Sequence, residues 1–216
     1  NDQPFVFTGG SGNRFDNAGT LRKSTAVGTS VFDSSLPFNN YGIVEVQSGR
    51  LRFNANGALT STFSVAAGSQ IEWAAPNSIF ASELRLGGAG TYAIMGNVTV
   101  SGQASVWNLD VSGTILGAGT LTVSNVFNWS SGGLEGGGVG RLVVAPGATL
   151  NLASTNEVHQ YGWTLDNAGT VLWNGSGIYR YADGAVLTNR PGAIWEIQND
   201  QPFVFTGGSG NRFDNA

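Results

Sequence analysis

Residues 1–18 read NDQPFVFTGGSGNRFDNA, and residues 199–216 read the same string without a change. Eighteen consecutive identities do not arise by chance, so the sequence returns to its own beginning after 198 residues, the interval from Asn1 to Asn199. An overlap added to cover a last layer would produce this pattern, and so would one unit of a tandem array followed by the start of the next. Even an added overlap makes sense only if the parent sequence repeats. The expected organisation is therefore one repeat unit over residues 1–198, with residues 199–216 opening a second, identical unit. Internal repetition of this kind constrains a fold before any local propensity is considered.

A finer repeat runs inside the unit. Phe15-Asp-Asn17-Ala-Gly19-Thr-Leu21 recurs as Leu165-Asp-Asn167-Ala-Gly169-Thr-Val171. Looser copies are Phe38-Asn-Asn40-Tyr-Gly42-Ile-Val44 and Leu187-Thr-Asn189-Arg-Pro-Gly192. A second pattern sets apolar residues three and five places after a glycine: Gly68 with Ile71 and Trp73, Gly147 with Leu150 and Leu152, and Gly192 with Trp195 and Ile197. Adjacent copies of the first form start at 15 and 38, and at 165 and 187, which are intervals of 23 and 22 residues. At about 22 residues per layer, 198 residues make nine layers.

Ile43-Val-Glu-Val46, Leu51-Arg-Phe53, Leu84-Arg-Leu86, Leu121-Thr-Val123 and Leu150-Asn-Leu152 alternate apolar with polar residues. That is the period-two signature of strands with one buried face. Gly, Asn, Ser and Pro bound them and supply the turns. No stretch of ten residues shows a 3.6-residue period. Short strands at regular spacing that all turn the same way predict an all-β chain folded as a parallel β-helix of about nine layers per unit. In such a stack Asn17, Asn40, Asn167 and Asn189 are expected to line one corner as an asparagine ladder. Gly19, Gly42, Gly169 and Gly192 are expected to hold positive φ in the same turn column.

Composition narrows the classes further. Charged residues are 11% of the chain, against roughly 25% in ordinary globular domains. Glycine, at 33 of 216 residues, is about twice its usual frequency. Apolar content of 41% is too high for a disordered chain. A net charge of −4, with 10 scattered Lys and Arg residues, excludes the clustered basic footprint that nucleic acid requires. No apolar run approaches the ~20 residues of a membrane-spanning helix. Cysteine is absent, which removes disulfides, thiol catalysis and cysteine-bound zinc. An export signal is expected elsewhere in a longer parent.

The segments FNNYGIVEVQSGRLRFNANG, STFSVAAGSQIEW and LVVAPGATLNL resemble the Gly/Asn/Thr-rich repeats of giant secreted bacterial surface proteins, the filamentous-haemagglutinin-like adhesins and autotransporter-type passenger regions. The resemblance covers nearly the whole chain and is one of composition and rhythm. It implies a right-handed parallel β-helix serving as a stalk, adhesin shaft or extracellular fibre.

Chemistry has few candidates. β-Helical polysaccharide lyases and hydrolases need several charged side chains converging from adjacent layers. The 8 Asp residues are spread out. Asp16 and Asp166 fall where another motif copy has Asn39, a place suited to a turn. Asp110, Asp183 and Glu135 are isolated. His159 is the one histidine, so no metal site is expected, and no cofactor. Gly9–Asp16 resembles a calcium-binding nonapeptide but carries Arg14 where that motif wants Asp, and it lacks tandem copies. Gly136–Gly140 lacks the Lys and Ser/Thr of a phosphate loop and reads as a turn. The Asn-X-Ser/Thr triplets at Asn97, Asn128 and Asn174 are expected by accident in this composition. Thr120 and Thr122 do not recur layer after layer as an ice-binding face would require. Trp73, Trp173 and Trp195 fall on inward positions. Tyr161, Tyr179, Arg180 and Tyr181 are the candidate sugar-stacking strip.

The leading expectation is a non-enzymatic structural repeat of an extracellular or cell-surface fibre whose partner is itself, end to end. An adhesin binding glycans comes second, and a polysaccharide lyase or hydrolase third.

Overall fold

Alternating side chains need a surface on either side of each strand, and strands this short can find it only by stacking on copies of themselves. The computed structural model, which describes residues 3–136 and 139–216, shows this arrangement. Among these residues there are 27 strands, numbered β1–β27 in chain order, and no helix. Strand pairing among the described residues is parallel throughout, as in the pairs Phe15↔Phe38 and Thr20↔Ile43. The fold is a β-solenoid with three faces.

The first turn consists of β1 (Phe15–Asn17), β2 (Thr20–Lys23) and β3 (Thr29–Phe32), one strand for each face. The second begins with β4 (Phe38–Asn40) and β5 (Ile43–Val46) on the first two faces. Nine such turns are complete. The eighth is β20 (Val158–Tyr161), β21 (Thr164–Asn167) and β22 (Thr170–Trp173). The ninth is β23 (Tyr179–Ala182), β24 (Val186–Asn189) and β25 (Ile194–Ile197). β26 (Phe203–Gly207) and β27 (Arg212–Asn215) open a tenth turn on the first and second faces.

The turns are not uniform. In-register residues Phe15 and Phe38 are 23 positions apart, but Asn97 and Thr114 are 17 apart and Gly132 and Val158 are 26 apart. The expected 22-residue layer is a mean whose variance lies in the corners. In the middle of the stack β14 (Gln103–Val111) and β16 (Thr120–Trp129) pass from the second face to the third without a break. A register shift between Val106 and Asn108 turns that corner, and it leaves Trp107 exposed. The second face is divided: β2, β5, β8 (Thr62–Val65) and β11 (Arg85–Gly87) form one sheet that ends at β11, and the strands above belong to another.

The interior is one continuous column. Phe32, Phe38, Phe53, Phe63 and Trp73 pack ring to ring at its start, with Phe53 stacked on Phe32 at 5.2 Å. Val98, Val100, Ile115, Leu121 and Val123 fill the middle, all buried. Trp129, Tyr179, Trp173 and Phe203 resume the aromatic column, the Tyr179 and Phe203 rings lying 4.9 Å apart. Burial of each large apolar side chain is worth about 1.5–3 kcal/mol relative to exposure. Each layer collects that gain only if a neighbour covers it.

The glycine column has a different origin from the one expected. Gly192 has φ +82°, but Gly19, Gly42 and Gly169 are not among the residues with positive φ. At Gly42 a Cβ would lie 2.1 Å from the Gly19 carbonyl oxygen, and at Gly169 it would lie 2.3 Å from that of Ala148. These glycines let one layer's backbone descend onto the layer beneath. Positive φ belongs instead to the glycine-led pattern, at +77° for Gly68, +80° for Gly147 and +82° for Gly192. In the run at 136–140, residues 137 and 138 lie outside the described part. Gly136 and Gly140 leave room for the Trp163 indole of the next turn, which a Cβ at either position would strike.

Gly19 and Gly42 therefore make an internal control. Nothing lies within 4 Å of a Cβ placed on Gly19, because it is in the lowest complete turn. Gly42→Ala is expected to cost about 2–3 kcal/mol by overpacking, and Gly19→Ala less than about 0.5 kcal/mol. Equal melting temperatures for the two variants would contradict the close-approach account.

Candidate functional site

The residues singled out by the sequence fall into three places: the Asn–Gly corner, the outer faces and the two ends of the stack. At the corner, buried Asn17 donates to Asn40 Oδ1 at 2.7 Å and to the Ile43 carbonyl at 3.0 Å. Asn167 donates to Asn189 Oδ1 at 2.7 Å and to the Ile194 carbonyl at 2.9 Å. Asn189 passes the pattern on to Asn215 Oδ1 at 2.8 Å. A buried amide that lacked these partners would cost about 1–3 kcal/mol, so the ladder fixes both corner geometry and register. It is not one column within this chain. Asn17 and Asn40 end strands of the first face, whereas Asn167, Asn189 and Asn215 end strands of the second.

The tyrosine strip is corrected by burial. Tyr179 is 0% exposed and faces the interior, where its hydroxyl donates to Gln160 Oε1 at 2.6 Å. Burial pushes its phenol well above the ordinary tyrosine range. Tyr181 is half-buried against the core, its ring 4.7 Å from that of Phe203. β20 buries Val158 and Gln160 and leaves His159 and Tyr161 on its other side, the two rings stacked at 4.8 Å. Arg180, in register with His159, pairs with Glu157 at 2.5 Å. The four residues do not form one surface; Tyr161 and Arg180 alone face outward.

Charged side chains pair between turns, along the axis. Arg22 pairs with Glu45 at 2.6 Å and Arg52 with buried Glu72 at 2.5 Å. Asp166 is not a turn residue. It lies within β21, 1% exposed, and its carboxylate is held by Arg141 from the turn below and by both Nε and Nη2 of Arg190 from the turn above, at 2.7 and 2.6 Å. Burial raises its pKa, but the two guanidinium groups outweigh that and hold it below the usual carboxylate value. Spacing could have found these pairs, because opposite charges one turn apart occur at residues 22 and 45 and at residues 141, 166 and 190.

Asp16, in β1, accepts from Asn39 at 2.8 Å in the same axial manner. A concavity of about 570 Å³ opens where the second face is divided and is lined by Thr62, Ser64, Glu83, Arg85, Gln103 and Thr122 among others. Its lining is mixed, with Phe63, Leu84, Leu86 and Ala104 beside the polar side chains, and it carries both signs of charge. Among the described residues no group of three or more His, Asp or Glu is placed to hold a metal ion.

The ends are where the stack has unfilled valence. β25, β26 and β27 each pair on one side only, with β22, β23 and β24. Ile197 is 59% exposed there and Phe213 42% exposed, although both continue inward columns. At the other end Phe5 is 42% exposed, bridged to Phe32, and a cavity of about 210 Å³ is lined by Phe5, Leu21, Lys23, Phe32 and Leu51 among others. The chemistry on offer at both ends is the same: backbone groups of an edge strand and apolar side chains awaiting another layer.

The Asp166 cluster yields a pH dependence with a definite sign. A carboxyl whose pKa is lowered by folding stabilises the fold above its unfolded value of about 3.9, and that contribution is lost as pH falls through the folded value. Asp166→Asn is expected to lower stability by roughly 1–3 kcal/mol at pH 7, with the difference from wild type closing below about pH 4. Urea melts of both proteins at pH 7 and pH 3 test this, and a gap unchanged between them would refute the pairing.

No family model matches the sequence, and no curated protein and no solved structure matches it either.

Proposed function

We propose that the chain is a structural repeat module of an extracellular or cell-surface fibre or stalk, which continues end to end by covalent repetition. The observation that carries this reading is the behaviour of residues 199–216. They repeat residues 1–18, and they extend the stack as a tenth turn, with Phe203 in register on Tyr179 and Phe213 on Leu187. A solenoid layer touches only its neighbours, so a stack without polar caps exposes core at each end until another layer covers it. The opening of the next unit does so here. The resemblance to secreted surface repeats supports placement outside the cell.

The test is a chain of two units, residues 1–198 followed by 1–216. Nine turns at ~4.8 Å give about 43 Å, and the two-unit chain is expected to be a straight rod of about twice that length by electron microscopy. It should melt in one transition above that of the single unit. Two flexibly joined beads that melt at the single-unit temperature would contradict the fibre reading.

A further inference from the structure

The two copies of the 18-residue segment lie on different faces. Phe15 is on the first face, paired with Phe38, whereas its copy Phe213 is on the second, paired with Leu187. Phe5 bridges to Phe32 on the third face, whereas its copy Phe203 is on the first, paired with Tyr179. Both parts of the segment move by one face in the same sense. From β1 in the first turn to β27 in the tenth is nine turns and one face more.

Resting on the fibre reading, we propose that consecutive units join through a screw of nine and one-third turns, in which the C-terminal face of one unit seats β2 of the next on its β25. The two copies supply the two sides of this joint. The C-terminal copy shows what lies beneath the segment: Tyr179 stacks on Phe203 at 4.9 Å, and Trp195 lies 5.0 Å from Phe213. The N-terminal copy shows what lies above it: Phe32 stacks on Phe5 at 4.5 Å, and Phe38 on Phe15 at 5.5 Å. Superposing the copies makes one unbroken aromatic column, from Tyr179 of one unit through Phe5 to Phe32 of the next.

The motif sets the register of the strands that this chain does not itself bring together. Leu165, Leu187 and Phe213 stack in one column, and Val171 and Trp195 in the next. Leu21 follows Phe15 in the motif as Val171 follows Leu165, so Leu21 of the following unit falls on Trp195. Arg22 then falls on Glu196, and Lys23 on Ile197. Glu196 is exposed on the outer side of β25, and Arg22 already pairs upward with Glu45. In the joint Arg22 is held between two carboxylates, as Asp166 is held between two guanidinium groups. Trp195 and Ile197 close the cavity lined by Leu21 and Phe32 of the following unit. The divided asparagine column is also made whole. Asn167 donates to Asn189 and Asn189 to Asn215, whose counterpart Asn17 donates to Asn40, all in the same direction.

The consequence is that any surface feature, the groove at the divided second face included, appears on each of the three faces in turn and returns to its own face after three units, or 28 turns. A fibre built this way presents the same features all round its circumference.

The chain has no cysteine, so an introduced pair reports the joint without background. In the two-unit chain, Glu196→Cys in the first unit is combined with either Arg22→Cys or Val31→Cys in the second. A joint of nine whole turns would seat β3 on β25 and bring Val31 to Glu196. Both variants alter outward positions, and circular dichroism matched to the cysteine-free chain confirms folding. The expected result under mild oxidation is near-complete linking of the 196–22 pair and none of the 196–31 pair. Linking of 196–31 instead would overturn the one-third-turn joint and leave the fibre reading standing. Failure of both pairs would overturn the joint and the fibre reading together. A cysteine-free arm checks stacking separately. Gly19→Ala in the second unit alone is expected to lower the melting temperature of the two-unit chain, because a layer now lies beneath it. If it stays as silent as in the single unit, the units are not stacked.

Discussion

Everything in this structure depends on the parallel backbone ladder between one turn and the next. Strands of three or four residues, such as Phe15–Asn17 and Thr20–Lys23, are far too short to be stable alone or as a hairpin. Each gains its hydrogen bonds from the turns above and below, and each inward side chain gains its burial from the same two neighbours. The side chains then have no freedom of register. A slip of one residue would send Val44, Val46 and every like residue to the outside and bring Glu45 in. Like therefore stacks on like, as Phe53 does on Phe32 and Asn40 on Asn17, and charges alternate along the axis as Arg22 and Glu45 do.

That constraint also explains why glycine is so abundant. Layers about 4.8 Å apart leave no room for a Cβ where a corner dips onto the carbonyl beneath. Gly42, Gly57, Gly113 and Gly177 would each place one within 2.1 Å of a backbone oxygen. Glycine at these corners answers contact between layers; glycine at 68 and 147 answers a left-handed backbone. The two kinds are indistinguishable in a single sequence unless the layer below is known.

Strand positions and inward residues were legible because alternation is a local property: Ile71 and Trp73, or Leu150 and Leu152, are buried as their pattern implies. The number of turns was legible from the spacing of the motif copies. What was not legible depends on position around the axis. The four motif asparagines look equivalent along the chain, yet a variable turn length, 17 residues at Asn97 and 26 at Gly132, shifts the later pair to another face. Tyr179 was misplaced because Tyr179-Arg-Tyr181 alternates equally well in either phase; the buried Gln160 that accepts its hydrogen bond lies 19 residues away. Asp166 looked like a turn residue because the arginines that hold it are 25 and 24 positions distant.

The same dependence of each layer on its neighbours makes the ends the least stable part of the stack, and makes a joint between units the place where that weakness should vanish. Amide hydrogen exchange reads the ladder directly. In the single chain, protection is expected to rise from both ends toward β14 and β16. In the two-unit chain, the amides at the counterparts of residues 203–207 and 212–215 should become as slow as those of the middle turns. Exchange there as fast as at the free end of the single chain would contradict the claim that the layers form one continuous ladder.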